Sequence, residues 1–278
     1  MNIGAIVPAR MNSSRLPGKH MMKLNGIPSI QRVIERLHSV SLIHYVVIAT
    51  TINKEDDIIA DFCSDNKILC FRGDENDLLD RTIRAAHVNN IDVIVDLTAD
   101  CPLIDPCIVD DVIELHMSND YDLTTNILER TFPRGMDVRV VHTKTLEKVQ
   151  SEIDNDVDVG HAGYTWMYLN PNGKKKYTTF NHVATKEQNR PELEFTLDTK
   201  EDYDFINWVY EAGKEYTLQL TCEQIISLID IYPDKYENVK NNVRRKDYFE
   251  ALNKCYETRE IKNVQSSNSR SRKNGSEK

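Results

Sequence analysis

Ile3-Gly4-Ala5-Ile6-Val7-Pro8-Ala9-Arg10-Met11-Asn12-Ser13-Ser14-Arg15-Leu16-Pro17-Gly18-Lys19 is the stretch that decides the fold of this chain. Ile3 to Val7 is a continuous apolar run, as a strand buried on both faces requires. At Pro8 it gives way to small and cationic residues, and a polar loop continues to Gly26. Pro28 then opens a helix in which Ile30, Val33, Ile34 and Leu37 recur at i, i+3, i+4 and i+7. A strand feeding a loop and then an amphipathic helix is the first half of a βαβ unit.

The same rhythm continues outward. Strands are predicted at Tyr45 to Thr51, Ile68 to Phe71 and Val93 to Thr98, alternating with helices at Asp56 to Ser64 and Asn76 to Val88; Pro106 opens a further helix through His116. Right-handed crossovers then give an α/β fold with a mostly parallel sheet and helices on both faces. The second half is less regular. It predicts strands at Leu123 to Asn126, Met136 to His142, Lys176 to Val183 and Leu193 to Leu197, and helices near Lys144 to Glu152, Gly160 to Leu169, Lys200 to Ala212 and Cys222 to Ile231. That pattern makes the sheet mixed and places an excursion at about residues 127–192. One domain over residues 1–256 is expected. Residues 257–278, rich in Ser, Asn, Lys and Arg, are expected to form a disordered basic tail, because so little apolar surface cannot offset the entropy of ordering.

The 278 residues carry a formal charge of −9. The charge is unevenly partitioned: residues 1–40 hold six Lys or Arg against one Glu, and residues 262–278 hold five against one, which leaves −18 for the remainder. Extended nucleic acid is a poor partner for such a body, whereas one small polyphosphate has a place at the N-terminal loop. No run approaches the 18 or so apolar residues of a membrane span, and the N-terminus reads as a strand instead of a leader, so a cytoplasmic protein without a membrane partner is expected. Six cysteines include no C-x-x-C pair and read as reduced packing residues.

Ligands of open α/β sheets bind outside the carboxyl ends of the strands. There, Arg10, Arg15, Lys19 and Lys23 lie in a loop whose small residues free backbone N–H groups, a polyphosphate cradle; a solvated basic loop has the same composition. It has neither Walker A nor G-x-G-x-x-G spacing. Asp100 follows the strand ending at Ala99, where a carboxylate holds Mg²⁺ or closes a turn. Asp105 reads as the cap of the helix at Pro106. Asp198 ends an apolar run, and Thr199-Lys200-Glu201-Asp202 reads as a capping box with Asp in place of Glu or Gln. Two carboxylates at one sheet edge suit shared magnesium in phosphoryl transfer, and a cap or turn role for Asp198 stays open. Asp137 sits in a strand and orients a hydroxyl or a basic partner, or is exposed. Arg72, Asp80 and Arg81 serve a nucleotide or a surface ion pair. His161 contacts substrate or caps a helix. Trp166 and Trp208 read as core.

Taken in order, Ile6 to Lys19, Ala49-Thr50-Thr51, Phe71-Arg72-Gly73, Leu79-Asp80-Arg81, Ala99 to Asp105, Gly135-Met136-Asp137-Val138 and Thr196 to Asp202 resemble the spore-coat-polysaccharide type of cytidylyltransferase. That family is related to the enzymes that make CMP-activated acidic sugars such as CMP-Kdo and CMP-sialic acid. The resemblance, which covers about Met1 to Ala212, implies a Rossmann-like nucleotidyltransferase that moves CMP from CTP to an acceptor oxygen and releases pyrophosphate. It implies that Arg10 and Lys19 hold the triphosphate, with Pro8, Ala9, Met11, Ser14 and Arg15 of the loop and Thr50, Arg72, Arg81 and Thr98 completing the nucleotide site. It implies magnesium on Asp100 and Asp198, and a homodimer. Where relatives show His-Val-Thr-Pro, this chain has His161-Ala162-Gly163-Tyr164; where they show Asp-Gly-Leu-Asp, it has Arg134-Gly135-Met136-Asp137. The added charge of Arg134 and Arg139 suits an anionic acceptor bound with Asp137 and His161, and surface charge accounts for it too.

Two other readings stand beside this one. A glycosyltransferase using a nucleotide-sugar donor would use a D-x-D pair, and Asp120-Tyr121-Asp122 and Asp202-Tyr203-Asp204 match formally. A non-catalytic nucleotide-binding subunit has no chemical need for Arg10, Lys19, Asp100 and Asp198 together.

Overall fold

The computed structural model describes residues 1–153, 164–169, 177–215 and 219–240. The decisive stretch forms β1 (Ile3–Pro8), fully buried from Ile3 to Val7. The loop after it holds a two-residue hairpin, β2 (Lys23–Leu24) and β3 (Ile27–Pro28), which the sequence reading treats as loop. Pro28 precedes α1 (Ser29–Leu37) as its cap instead of lying in its first turn. Then follow β4 (Tyr45–Thr51), α2 (Asp57–Asp65), β5 (Leu69–Gly73), α3 (Leu78–Val88), β6 (Val93–Asp96) and α4 (Pro106–Met117), so the four-fold alternation is as read. β7 (Leu123–Thr125), β8 (Arg139–His142), α5 (Thr143–Glu152), α6 (Tyr164–Leu169), β9 (Thr179–Asn181), α7 (Lys200–Ala212), α8 (Cys222–Ile231) and α9 (Pro233–Lys240) make up the second half.

The main sheet has the order β5-β4-β1-β6-β8-β7-β9. β5, β4, β1 and β6 are parallel, and β8 runs antiparallel to both neighbours. The chain steps from β1 to β4 and β5 on one side and returns to β6 on the other, so loops diverge at the carboxyl ends of β1 and β6. That divergence is the crevice in which doubly wound sheets bind ligands.

Side-chain alternation along each strand feeds two cores. Ala5, Val7, Ile48 and Val95 pack with Ile30 and Ile34 of α1, Ile108 and Val112 of α4, and Phe205 of α7. Ile6, Ile94 and Val141 pack on the other face with Leu79 and Ile83 of α3, Leu146 of α5 and Tyr164 of α6. Trp166 and Trp208 are half-buried against these two clusters. Asp105 caps α4 as expected, accepting from Cys107 N at 2.9 Å, and its second oxygen accepts from Cys222 N at 2.7 Å. One carboxylate therefore starts two helices.

Leu193 to Leu197 is not a strand. Its alternate residues Leu193, Phe195 and Leu197 are buried, as the pattern demands, but its backbone partners are two loops. Phe195 N donates to Arg134 O at 2.7 Å and Leu197 N to Asp100 O at 2.8 Å, so no ladder propagates beyond the bridge of Arg134 with Glu194. Likewise β6 ends at Asp96 instead of Thr98, and β8 begins at Arg139 instead of Met136, after Gly135 at φ +99°. Cys63, Cys101 and Cys222 are buried free thiols, whereas Cys70 and Cys107 are exposed. Residues 1–240 form one unit. The expected boundary at 256, the basic tail, Cys255 and His161 lie outside the described residues. Among the described residues no helix is long and apolar enough to cross a membrane.

Candidate active site

The loop after β1 is folded on itself and pinned from outside. Ser13 N and Gly18 N both donate to Met11 O at 3.0 Å, and Gly18 takes φ +72°, which lets the chain turn into a short 3₁₀ segment beginning at Lys19. Met11 N donates to Asp56 Oδ1 at 2.6 Å, while the other Asp56 oxygen takes the Thr51 hydroxyl. Asp56, read in the sequence only as a helix start, thus fastens the cradle to the carboxyl end of β4.

This fold delivers Lys19 to two loop carboxylates, Asp100 four residues beyond the end of β6 and Asp198 two residues before α7. Lys19 Nζ lies 3.0 Å from Asp100 Oδ2 and 2.9 Å from Asp198 Oδ1, and Arg15 Nη2 reaches the same Asp198 oxygen at 2.9 Å. The carboxylate segments are held to each other by the Leu197 N to Asp100 O bond. Asp202 closes the capping box predicted for α7, and its Oδ2 also accepts from Asp198 N at 3.0 Å and Thr199 N at 2.8 Å. Asp198 is therefore set by its backbone before its side chain meets anything.

Burial favours the neutral form of Asp100, yet the Lys19 ammonium and the Thr98 hydroxyl outweigh it and hold the carboxyl well below its usual range. Burial also opposes charge on Lys19, but Asp100 and Asp198 together raise its pKa. His20, next in the chain, is pushed down to about 4 by burial and by Lys19; its ring bonds the Ala99 backbone, and Nδ1 is buried without a hydrogen-bond partner.

Arg10 follows β1, Arg72 lies near the end of β5 and Arg81 in the first turn of α3. Arg10 pairs with Glu75 at 3.0 Å, and Glu75 also accepts from Asn53 at 2.6 Å. Arg72 donates to Thr51 O and Asn53 O at 2.8 and 2.9 Å and pairs with Asp57 at 2.7 Å. Arg81 is buried instead of forming a surface pair: Nη1 donates to Asp74 O at 2.7 Å, Nε has no partner, and burial and the charge of Arg10 lower its pKa. Asp80, by contrast, forms the surface pair, with Arg84 at 3.5 Å. Of the remaining nucleotide set, Thr50 is buried with its hydroxyl unpartnered and the Thr98 hydroxyl lies 3.1 Å from Cys101 Sγ.

Among the described residues, the acceptor-side Arg134, Asp137 and Arg139 are all paired. Asp137 lies just before β8 and takes a two-pronged contact from Arg130 at 2.8 and 3.0 Å, a partner the sequence reading missed because a loop arginine seven residues away leaves no periodic signal. Arg134 meets Glu194 at 2.6 Å, and the Thr196 hydroxyl links Glu194 at 3.4 Å to Asp198 at 3.5 Å. Arg139 is buried against Asp96 at 2.9 Å, its guanidinium 5.5 Å from the Tyr164 ring.

A cationic loop and a carboxylate pair, brought together at the switch point of a mostly parallel sheet, define a nucleotidyltransferase. The chain belongs to the cytidylyltransferase family, which it matches over residues 4–228, and is a CTP-dependent nucleotidyltransferase. A solved cytidylyltransferase from Leptospira borgpetersenii is 31% identical, with a TM-score of 0.76 over 87% of this chain and 98% of that one. The spore coat polysaccharide biosynthesis protein SpsF of Bacillus subtilis is 28% identical over 82% of this chain and 94% of its own length. A 3-deoxy-manno-octulosonate cytidylyltransferase of Trichlorobacter lovleyi is 34% identical over 43% of this chain and 46% of its own.

Proposed function

We propose that the protein transfers CMP from CTP to a small anionic acceptor, an acidic sugar, a sugar phosphate or another phosphorylated small molecule, and that it does so with Mg²⁺. The observation that carries this reading is the convergence of Asp100 and Asp198 on one point, marked by a single ammonium within 3.0 Å of both. Two hard carboxylate oxygens suit Mg²⁺, which keeps waters and takes phosphate oxygens for its other positions. The donor set fits, and Asp100 and Asp198 would hold the ion. Bound there, it supplies Lewis-acid polarisation and charge neutralisation at the α-phosphate.

The chain's own groups do the rest. Arg10, Arg15 and Lys19 neutralise charge on the leaving pyrophosphate, and Arg72 and Arg81 extend the cationic wall. The folded loop and Asp56 fix where that charge sits, so the acceptor oxygen meets the α-phosphorus in line with its leaving group. Arg130, Arg134 and Asp137 position the acceptor beside Asp198, with Arg139 supporting them; His161, outside the described residues, is proposed to contact the same acceptor. The relatives named for polysaccharide and octulosonate chemistry support an acceptor of the acidic-sugar class and a place in surface polysaccharide synthesis. A cytoplasmic homodimer completes the proposal.

The glycosyltransferase reading loses ground at its own motif: Asp202 is buried and used in capping, and Asp204 pairs with Lys200 on the exposed face of α7. The test is pyrophosphate release from each nucleoside triphosphate with Mg²⁺ and a panel of acidic sugars, sugar phosphates and phosphonates. Release with CTP and one acceptor class is expected. CTP binding with no turnover across the panel would return the chain to the non-catalytic class, and free nucleoside diphosphate from a sugar donor would favour the glycosyltransferase.

A further inference from the structure

The point on which Asp100 and Asp198 converge is taken, and it is taken by a side chain of the triphosphate loop. We propose that Lys19 is a built-in occupant of the cation site, so that a divalent ion enters only as the ammonium leaves the two carboxylates, a move that an incoming triphosphate favours. The inference rests on the reading of Asp100 and Asp198 as metal ligands.

Three features support it. Lys19 and Asp198 are buried, with side-chain exposures of 8% and 1%, and a Coulomb repulsion between an ammonium and a divalent ion at such a site is poorly screened. Both cannot hold the same two oxygens. Second, Lys19 Nζ spans both carboxylates, whereas Arg15 touches Asp198 alone and is 39% exposed, so Lys19 is the group whose position coincides with a bridging ion. Third, the lysine side chain is a flexible four-carbon stem, and this one is rooted at the loop's own turn, where Lys19 N donates to Leu16 O at 3.3 Å. Rotation about that stem moves the charge from carboxylates to loop without moving the backbone.

The consequence is coupling. A triphosphate gives Lys19 a new anionic partner and leaves the carboxylates for the metal, so nucleotide and metal each favour the other's binding by the same factor. Metal alone must evict the ammonium without that compensation.

Mn²⁺ titrated onto the nucleotide-free full chain, with free ion read by electron paramagnetic resonance, tests this. Lys19→Met is expected to bind Mn²⁺ at least tenfold more tightly than the unsubstituted protein, and Arg15→Met to change affinity less than threefold. Equal affinity of Lys19→Met and the unsubstituted protein, or an Arg15→Met effect as large as that of Lys19→Met, would overturn the occupant role while leaving the metal reading intact. Mn²⁺ binding by Lys19→Met that survives addition of Asp100→Asn would overturn the metal reading itself. A second measurement needs no substitution: acetic anhydride labelling of Lys19, read by peptide mass spectrometry, is expected to rise at least fivefold when saturating Mn²⁺ is bound. Unchanged labelling with Mn²⁺ bound would also overturn the proposal.

Discussion

Lys19 Nζ and Asp198 Oδ1 stand 2.9 Å apart across 179 residues of chain, both buried, and Asp198 owes its place to Asp202 and to Asp100 O through the neighbouring Leu197 N. Asp198→Asn keeps the side-chain shape and leaves Lys19 its bond to Asp100. Its expected effect is therefore chemical: a loss of about 10²–10³ in kcat for pyrophosphate release, the range for removing one preorganised electrostatic contact. Steady-state kinetics with CTP and circular dichroism melts check it. A variant that kept full turnover would remove Asp198 from the reaction.

Arg10 and Arg81 repel each other in the free protein, since burial and the Arg10 charge together lower the pKa of Arg81. Arg10's compensating pair with Glu75 is half-exposed and worth little. Arg10→Ala is expected to leave the ligand-free melting temperature unchanged or raise it, by no more than about 0.5 kcal/mol in stability, while cutting the thermal stabilisation that CTP or pyrophosphate confers. Differential scanning fluorimetry with and without ligand separates the two effects. An equal ligand-induced shift in both proteins would show that Arg10 does not meet the phosphates.

Gly135 turns the chain before Asp137 at φ +99°, and a Cβ there would stand 2.8 Å from the carbonyl carbon of Phe195. Backbone atoms do not give way as a flexible side chain does. Gly135→Ala combines left-handed strain with that collision and is expected to cost about 2–4 kcal/mol, read as a shift in urea midpoint. The collision falls on the segment that carries Thr196 and Asp198, so turnover measured on the folded fraction should fall as well. An unshifted midpoint would mean that this close approach relaxes freely.

The sequence legibly announces what has a local period or a local end. The Ile3 to Val7 run, the α1 stripe, the Asp105 cap and the capping box at Thr199 are patterns within a dozen residues, and each stands in the structure as read. Asp100 is read at a strand end but lies four residues beyond β6, in the turn from which it meets Lys19. What was not legible is which backbone accepts from which. Leu193 to Leu197 alternates like a strand yet bonds to two loops, and nothing local says that Asp56 would hold Met11 N or that Arg130 would grip Asp137. Such pairs are set by how loops fold over the sheet's carboxyl edge, where no periodicity operates.

His116, at the carboxyl end of α4, gives a test that is independent of catalysis. Its Nδ1 lies 3.1 Å from the Thr124 hydroxyl, its Nε2 is buried without a partner, and the His142 ring is 5.0 Å away. Burial first, and then His142, push its pKa down to about 4 from the ordinary 6.5. Because the folded value is the lower one, the unfolded chain binds the extra proton between pH 6.5 and about 4, and stability falls as pH falls through that window. One such proton corresponds to about 1.4 kcal/mol per pH unit, up to about 3 kcal/mol in all. His20, also at about 4, adds in the same direction, and Asp96, raised to about 6 by burial against the pull of Arg139, works in the opposite one. Both are present with or without His116, so the difference between the unsubstituted protein and His116→Asn isolates a single group. Asn keeps a polar atom for Thr124 and does not titrate. Urea denaturation at half-unit steps from pH 7 to 4.5 is expected to show the His116→Asn stability falling less steeply, by about 1 kcal/mol per pH unit below pH 6. Parallel curves would mean that the folded protein admits the proton at His116 as readily as the unfolded chain does.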